Sequence, residues 1–202
     1  MKRIVLFCLL VSVFASAEDP TRSEAAQATI EVVTLQQVDP TATVDSLRHL
    51  DFRNLHFHIF DEHGKSVLFV NQRNGKSESK WTAQNGSDWL RLDWVRFFGE
   101  ESEFAVTSLS WVTTGGSASD YGLVQVFTLR DRHPIVIQQL LFNMRGCGTS
   151  SRLSIHPLLL TIKGVHGWEH CCPKSLDVMT FNWVNGSFHR KAYRSMPLPE
   201  SC

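Results

Sequence analysis

The segment Val165–Cys172 gathers His166, Glu169, His170, Cys171 and Cys172, the densest set of potential metal ligands in the chain. Two imidazoles and two thiols at this spacing suit zinc or copper, with His166, His170, Cys171 and Cys172 as ligands and Cys147 as a further sulfur. No second CxxC and no HExxH accompanies them, so the expected use of these residues is a disulfide-stapled loop entering a strand at Pro173. No cofactor is expected.

A second set lies in Thr113–Asp120, a glycine- and hydroxyl-rich connection. Gly115, Gly116, Ser117, Asp120 and the adjoining Tyr121 could present backbone N–H groups to an anion or shape a ligand loop. No lysine and no helix follows, which excludes a Walker-type phosphate loop. Together with Trp168 these residues are the candidate ligand-binding loops, because loops on a rigid β scaffold are where function concentrates. Catalysis finds less support. Ser117 or Ser119 could join Asp120 and either His133 or His170, yet no G-x-S-x-G elbow is present. Asp93, Glu100, Glu101 and Glu103 could converge as paired carboxylates, and His56 and His58 alternate so as to face one side. No catalytic residue is assigned on this basis.

The elements that must position these groups read as strands. Short runs rich in Val, Ile, Phe, Trp and Thr are separated by Gly, Asn, Asp and Pro clusters, at 30–38, 55–60, 67–71, 89–95, 104–112, 121–129, 135–142, 153–162, 178–184 and 187–193. Asp61–Lys65 and Arg130–Pro134 read as hairpin connections, and Asn185-Gly186 is the strongest two-residue turn signal. Leu90, Leu92 and Trp94 alternate with Arg91 and Asp93, as in a half-buried strand. Met179, Phe181 and Trp183 share a face. Pro157 should confine its run to an edge strand or split it in two. Only 43–50 has any helical character, and Pro197-Leu198-Pro199 should end regular structure. The fold class is therefore all-β, an antiparallel sandwich or barrel-like meander of about 9–11 short strands. The six tryptophans are expected mainly in packing between sheets.

Lys2 and Arg3, the apolar run Ile4–Phe14 and Ala15-Ser16-Ala17 have the layout of a secretory signal peptide. That run would reach only about 17 Å as a helix, too short for a bilayer core. The expected organisation is a signal peptide at 1–17, a flexible leader at 18–29, one β domain at 30–196 and a tail at 197–202. Cys8 lacks the small residues of a lipid-attachment site before it. Cleavage near Ala17 would place the chain outside the cytoplasm, secreted or periplasmic, without membrane insertion. Cys147, Cys171, Cys172 and Cys202 then become disulfide candidates in an oxidising compartment. A bond from Cys147 to Cys171 or Cys172 would close a loop of about 25 residues, worth about 3 kcal/mol in the chain-entropy model. Acidic and basic residues balance at 20 each, and the signal holds two of the basic ones. A nearly neutral chain without a long basic run argues against nucleic acid as a partner.

From Trp89 onward, the acidic turn Gly99–Glu103, Phe104-Ala105-Val106, Trp111, the Gly-Gly-Ser-x-x-Asp-Tyr loop, Val124–Phe127, Trp168, Cys171-Cys172-Pro173 and Trp183 follow in order. Over about 89–190 this order resembles exported bacterial β-rich domains of the LppP/LprE lipoprotein type and related secreted proteins. The resemblance implies an extracytoplasmic β module without an assigned active site. Some such domains carry an Asp-Gly-rich calcium-type loop; here Trp94–Gly99 stands in its place, without the aspartates. The expected function is a non-catalytic binding or structural module with a ligand or envelope protein as partner. The alternatives are a secreted hydrolase acting on polysaccharide or peptide, and a metal-binding module.

Overall fold

In a chain whose apolar residues recur at alternate positions, burying one face of each strand drives sheet formation, and a second layer must cover that face. The structure, a computed structural model, describes residues 29–38, 42–60, 66–71, 76–80, 87–114, 120–144, 148–166 and 175–198. It holds β1 (Thr29–Gln37), β2 (His56–Phe60), β3 (Ser66–Asn71), β4 (Lys76–Lys80), β5 (Ser87–Phe98) and β6 (Phe104–Thr114). There follow β7 (Asp120–Arg130), β8 (His133–Asn143), β9 (Ser150–Ile155), β10 (Leu158–Val165), β11 (Ser175–Val184) and β12 (Ser187–Pro197). Six strands form one sheet in the order β1-β8-β7-β6-β5-β4, four another in the order β12-β11-β10-β9, and β2 pairs with β3. Every pairing is antiparallel. The fold is an all-β sandwich.

The six-stranded sheet is covered on both faces. One face joins Leu109, Leu123 and Phe127 to Phe52, Phe57 and Ile59 of the 42–60 segment. The other joins Val106, Val124 and Leu140 to Leu160, Ile162, Met179 and Phe181 of the four-stranded sheet. Adjacent residues Gln138 and Gln139 serve opposite faces, and both are wholly buried. The Gln139 amide accepts from Phe60 N at 3.1 Å and donates to Phe60 O at 2.8 Å. Gln138 accepts from Phe188 N at 2.7 Å and donates to Phe188 O at 2.7 Å. Gln125 adds a bond to His58 O at 2.6 Å. Each amide satisfies backbone groups on a strand edge that would otherwise be buried without partners.

Several expectations are corrected by register. Leu90, Leu92 and Trp94 do not share a face: a bulge between Leu92 and Trp94 shifts the pairing. Leu92 packs in the first core and Trp94 in the second, because one extra residue inverts every side chain beyond it. The Arg130–Pro134 connection is tighter than expected. Asp131 and Arg132 alone form the turn, with φ of 53° and 67°, the left-handed pair of a type I′ hairpin, and Pro134 lies within β8. Pro157 does split its run, into β9 and β10. Pro197 pairs with Ser175 at the end of β12, so regular structure runs one residue into the expected tail. The twelve strands among the described residues exceed the expected number because β4, Lys-Ser-Glu-Ser-Lys, has no apolar residue to reveal it. In 43–50 the structure has a short 3-10 turn, Leu47–His49, capped by Ser46.

Candidate functional site

The two ends of the sandwich differ. At one end lie the two-residue turns Asp131-Arg132, His156-Pro157 and Asn185-Gly186, the five-residue 99–103 connection and the start of the 38–55 segment that links β1 to β2. At the other end lie the pairs Trp111↔Tyr121, Tyr121↔Asn143, Val165↔Leu176 and Ser175↔Pro197. The two sheets meet there: a Cβ added to Gly164 would lie 3.2 Å from Asn143 O and 3.4 Å from the Phe142 side chain. This end therefore carries the β6–β7, β8–β9 and β10–β11 connections, 115–119, 144–149 and 166–174, and receives the chain after β12.

Of the sequence-derived site residues, the structure describes Asp120, Tyr121 and His166, which lie at this end. Gly115, Gly116, Ser117, Cys147, Trp168, His170, Cys171, Cys172 and Cys202 lie outside the described residues, as do residues 1–28 and the 61–65 connection. Asp120 opens β7, and Tyr121 and His166 are described fully. The ring of Tyr121 meets Trp111 with centroids 5.1 Å apart and planes at 43°. Trp111 Nε1 is buried without a hydrogen-bond partner among the described residues, a costly state for a donor.

His166 closes the neck of the β10–β11 connection through its N–H to Ser175 O, at 3.0 Å. Its Nδ1 lies 2.8 Å from Oδ2 of Asp177, whose Oδ1 accepts from Tyr193 Oη at 3.0 Å. Asp177 is fully buried, whereas the His166 side chain is 36% exposed. A buried carboxylate thus orients an imidazole that reaches solvent, the arrangement that serves general bases and metal-binding histidines alike. Sequence reasoning missed Asp177 and Tyr193. Asp177 is in phase with Met179 and Phe181, so a carboxylate on the core-facing side was the available signal.

The His133 and paired-carboxylate combinations do not assemble, whereas Ser117, Ser119 and His170 lie outside the described residues. His133 pairs with Arg130 at the short-turn end and bonds to Ala42 O. Asp120 begins β7 at the opposite end, about 33 Å along the strand, so the two cannot share a triad. Glu100, Glu101 and Glu103 line a groove of about 730 Å³ with Asp45, Ser46 and Thr128. Asp93 lies apart from them, in a groove of about 500 Å³ with Asp51, Arg53 and Arg91. There it accepts from Ser110 Oγ at 2.6 Å and Arg91 Nε at 3.0 Å. The four acids therefore do not converge. The 99–103 turn is conformationally strained, with Glu101 at φ 49° and Ser102 at φ 65°. Arg48 secures it by donating to Ser102 Oγ at 2.6 Å while lying 5.1 Å from the centroid of Phe97.

His56 and His58 are half-buried beside the buried Phe57 and Ile59. Among the described residues no three His, Cys, Asp or Glu side chains come together to hold a metal ion, and no helix is long and apolar enough to cross a membrane. Comparison with protein-family models, curated proteins and solved structures finds no match.

Proposed function

We propose that this chain is an exported, non-catalytic binding module whose working surface is the end of the sandwich that carries the β6–β7, β8–β9 and β10–β11 connections. The observation that carries the reading is the placement of Trp111, Tyr121 and the buried-carboxylate-bound His166 at the end from which the β6–β7 and β10–β11 candidate loops depart. Loops anchored on a rigid double sheet can vary in sequence without disturbing the core, and aromatic rings at their base supply contact area at small entropic cost. The candidate loops Gly115–Tyr121 and Trp168–Pro173 depart from this end. Export, disulfides among Cys147, Cys171, Cys172 and Cys202, and kinship with LppP/LprE-type domains belong to the same reading.

The hydrolase alternative has one observation in its favour, the His166–Asp177 pair. A single experiment separates the readings. The purified chain is screened on peptide and glycan arrays and against chromogenic esters and glycosides. Tyr121→Ser and His166→Ala variants are then compared. Saturable binding that Tyr121→Ser weakens about tenfold, without turnover, supports the module. Turnover abolished by His166→Ala establishes the hydrolase instead, and stoichiometric zinc in the purified chain establishes the metal-binding reading.

A further inference from the structure

The outer face of the four-stranded sheet collects cations and no acids. Register places Arg152, Thr161, Thr180 and Ala192 side by side across β9 to β12, with Ser150, Lys163, Val178 and Arg194 as the adjoining row. The opposite phase, Leu160, Ile162, Met179 and Phe181, is buried in the second core, so these rows face away from it. His189 continues the surface beside Asn182, and Lys191 stands at the bulge in β12. Arg152, His189, Lys191 and Arg194 are exposed, and Lys163 is half-buried. The one carboxylate in the described residues of these strands, Asp177, is buried and bonded to His166 and Tyr193. None of Arg152, Lys163, Lys191 or Arg194 has an ion-pair partner among the described residues.

The neutral total charge conceals this segregation, since Asp45, Glu100, Glu101 and Glu103 gather around a groove elsewhere. We propose that the outer face of the four-stranded sheet binds an acidic polysaccharide, sulfated or uronate, along the Arg152, Lys163 and Arg194 surface. Neighbouring strands lie about 4.8 Å apart and same-face residues about 6.7 Å apart along a strand, so the cations are spaced on the scale of sugar rings. Thr161, Thr180 and Asn182 stand between them as hydrogen-bonding groups for sugar hydroxyls. The two cationic rows contain no aromatic side chain on which bases could stack, and among the described residues no helix exceeds three residues, which disfavours nucleic acid. The exposed apolar side chains of this face, Val184 and Met196, lie outside the two cationic rows, at opposite ends of β11 and β12. The site is independent of the loop end, and its residues differ from those tested there.

The test uses the full chain and heparin as the sulfated probe, with alginate as the uronate probe. Single-stranded DNA and vesicles of three parts phosphatidylcholine to one part phosphatidylserine serve as competing classes. Because the chain as a whole is not basic, binding must come from a local patch. Glycan binding at low salt should weaken steeply as the screening length falls to about 10 Å at 0.1 M. Arg152→Gln/Lys163→Gln/Arg194→Gln should weaken it at least about tenfold, while Arg53→Gln/Arg91→Gln should leave it unchanged. If the triple variant fails to fold by circular dichroism, Arg152→Gln and Arg194→Gln singly should each weaken binding about threefold. Absence of binding to both glycans, equal loss in the Arg53/Arg91 variant, or tighter binding to DNA or vesicles would overturn the proposal.

Discussion

Gln139→Leu removes both polar ends of a buried side chain while nearly keeping its volume. Gln139 is wholly buried and Phe60 only 2% exposed, so water cannot replace the lost partners without opening the first core. Phe60 N–H and C=O each lose a bond, of 3.1 and 2.8 Å, and Gln125 loses its 3.1 Å contact to Gln139 Oε1. A buried backbone group left unpaired costs about 1–3 kcal/mol, so the two at Phe60 predict a loss of about 2–6 kcal/mol. Against the usual stability of about 5–15 kcal/mol the domain should still fold. At a urea slope of about 1–3 kcal/mol/M the midpoint should fall by on the order of 1–3 M with the slope unchanged. Gln37→Leu, at the exposed end of β1, is the control and should stay within about 0.5 kcal/mol. Amide exchange should quicken first at Phe60, as the 42–60 layer loosens before the sandwich does. A loss below about 1 kcal/mol, or one no larger than the control's, would show that the amide is not what joins these layers.

Other perturbations test different terms. Gly122→Ala would place a methyl 2.0 Å from Phe142 Cζ; overpacking should cost about 1–3 kcal/mol in thermal or urea unfolding, with partial rescue by Phe142→Leu. Asp177→Ala removes the buried carboxylate that His166 and Tyr193 share, and unfolding curves should show a loss of about 3 kcal/mol against less than about 1 kcal/mol for Asp51→Ala, an exposed carboxylate that holds Arg53 N and Asn54. Arg132→Gly relieves a left-handed backbone at φ 67° and sacrifices an exposed ion pair to Asp45, so a net stabilisation of up to about 1 kcal/mol is expected. Intact mass with and without reduction should report two disulfides in the exported chain, and four alkylatable thiols would refute them.

Alternating Val, Ile, Phe and Trp runs broken by turn residues determine an all-β chain, and nearly all its strands are legible from that period alone. Asn185-Gly186 and Pro157 mark their hairpins because left-handed turns and missing N–H donors are local properties. β4 has no apolar residue and exists only because β5 offers it a hydrogen-bonding edge. The bulge beside Trp94 is likewise invisible in a binary pattern, yet it decides which core that ring enters. Ordinary glutamines in the sequence become interlayer clamps once strand edges arrive above and below them. Asp177, His166 and Tyr193 are separated by 11 and 16 residues and meet through cross-strand register. The cationic face follows from the same cause: composition sums charge along the chain, whereas the sheet sorts it by side.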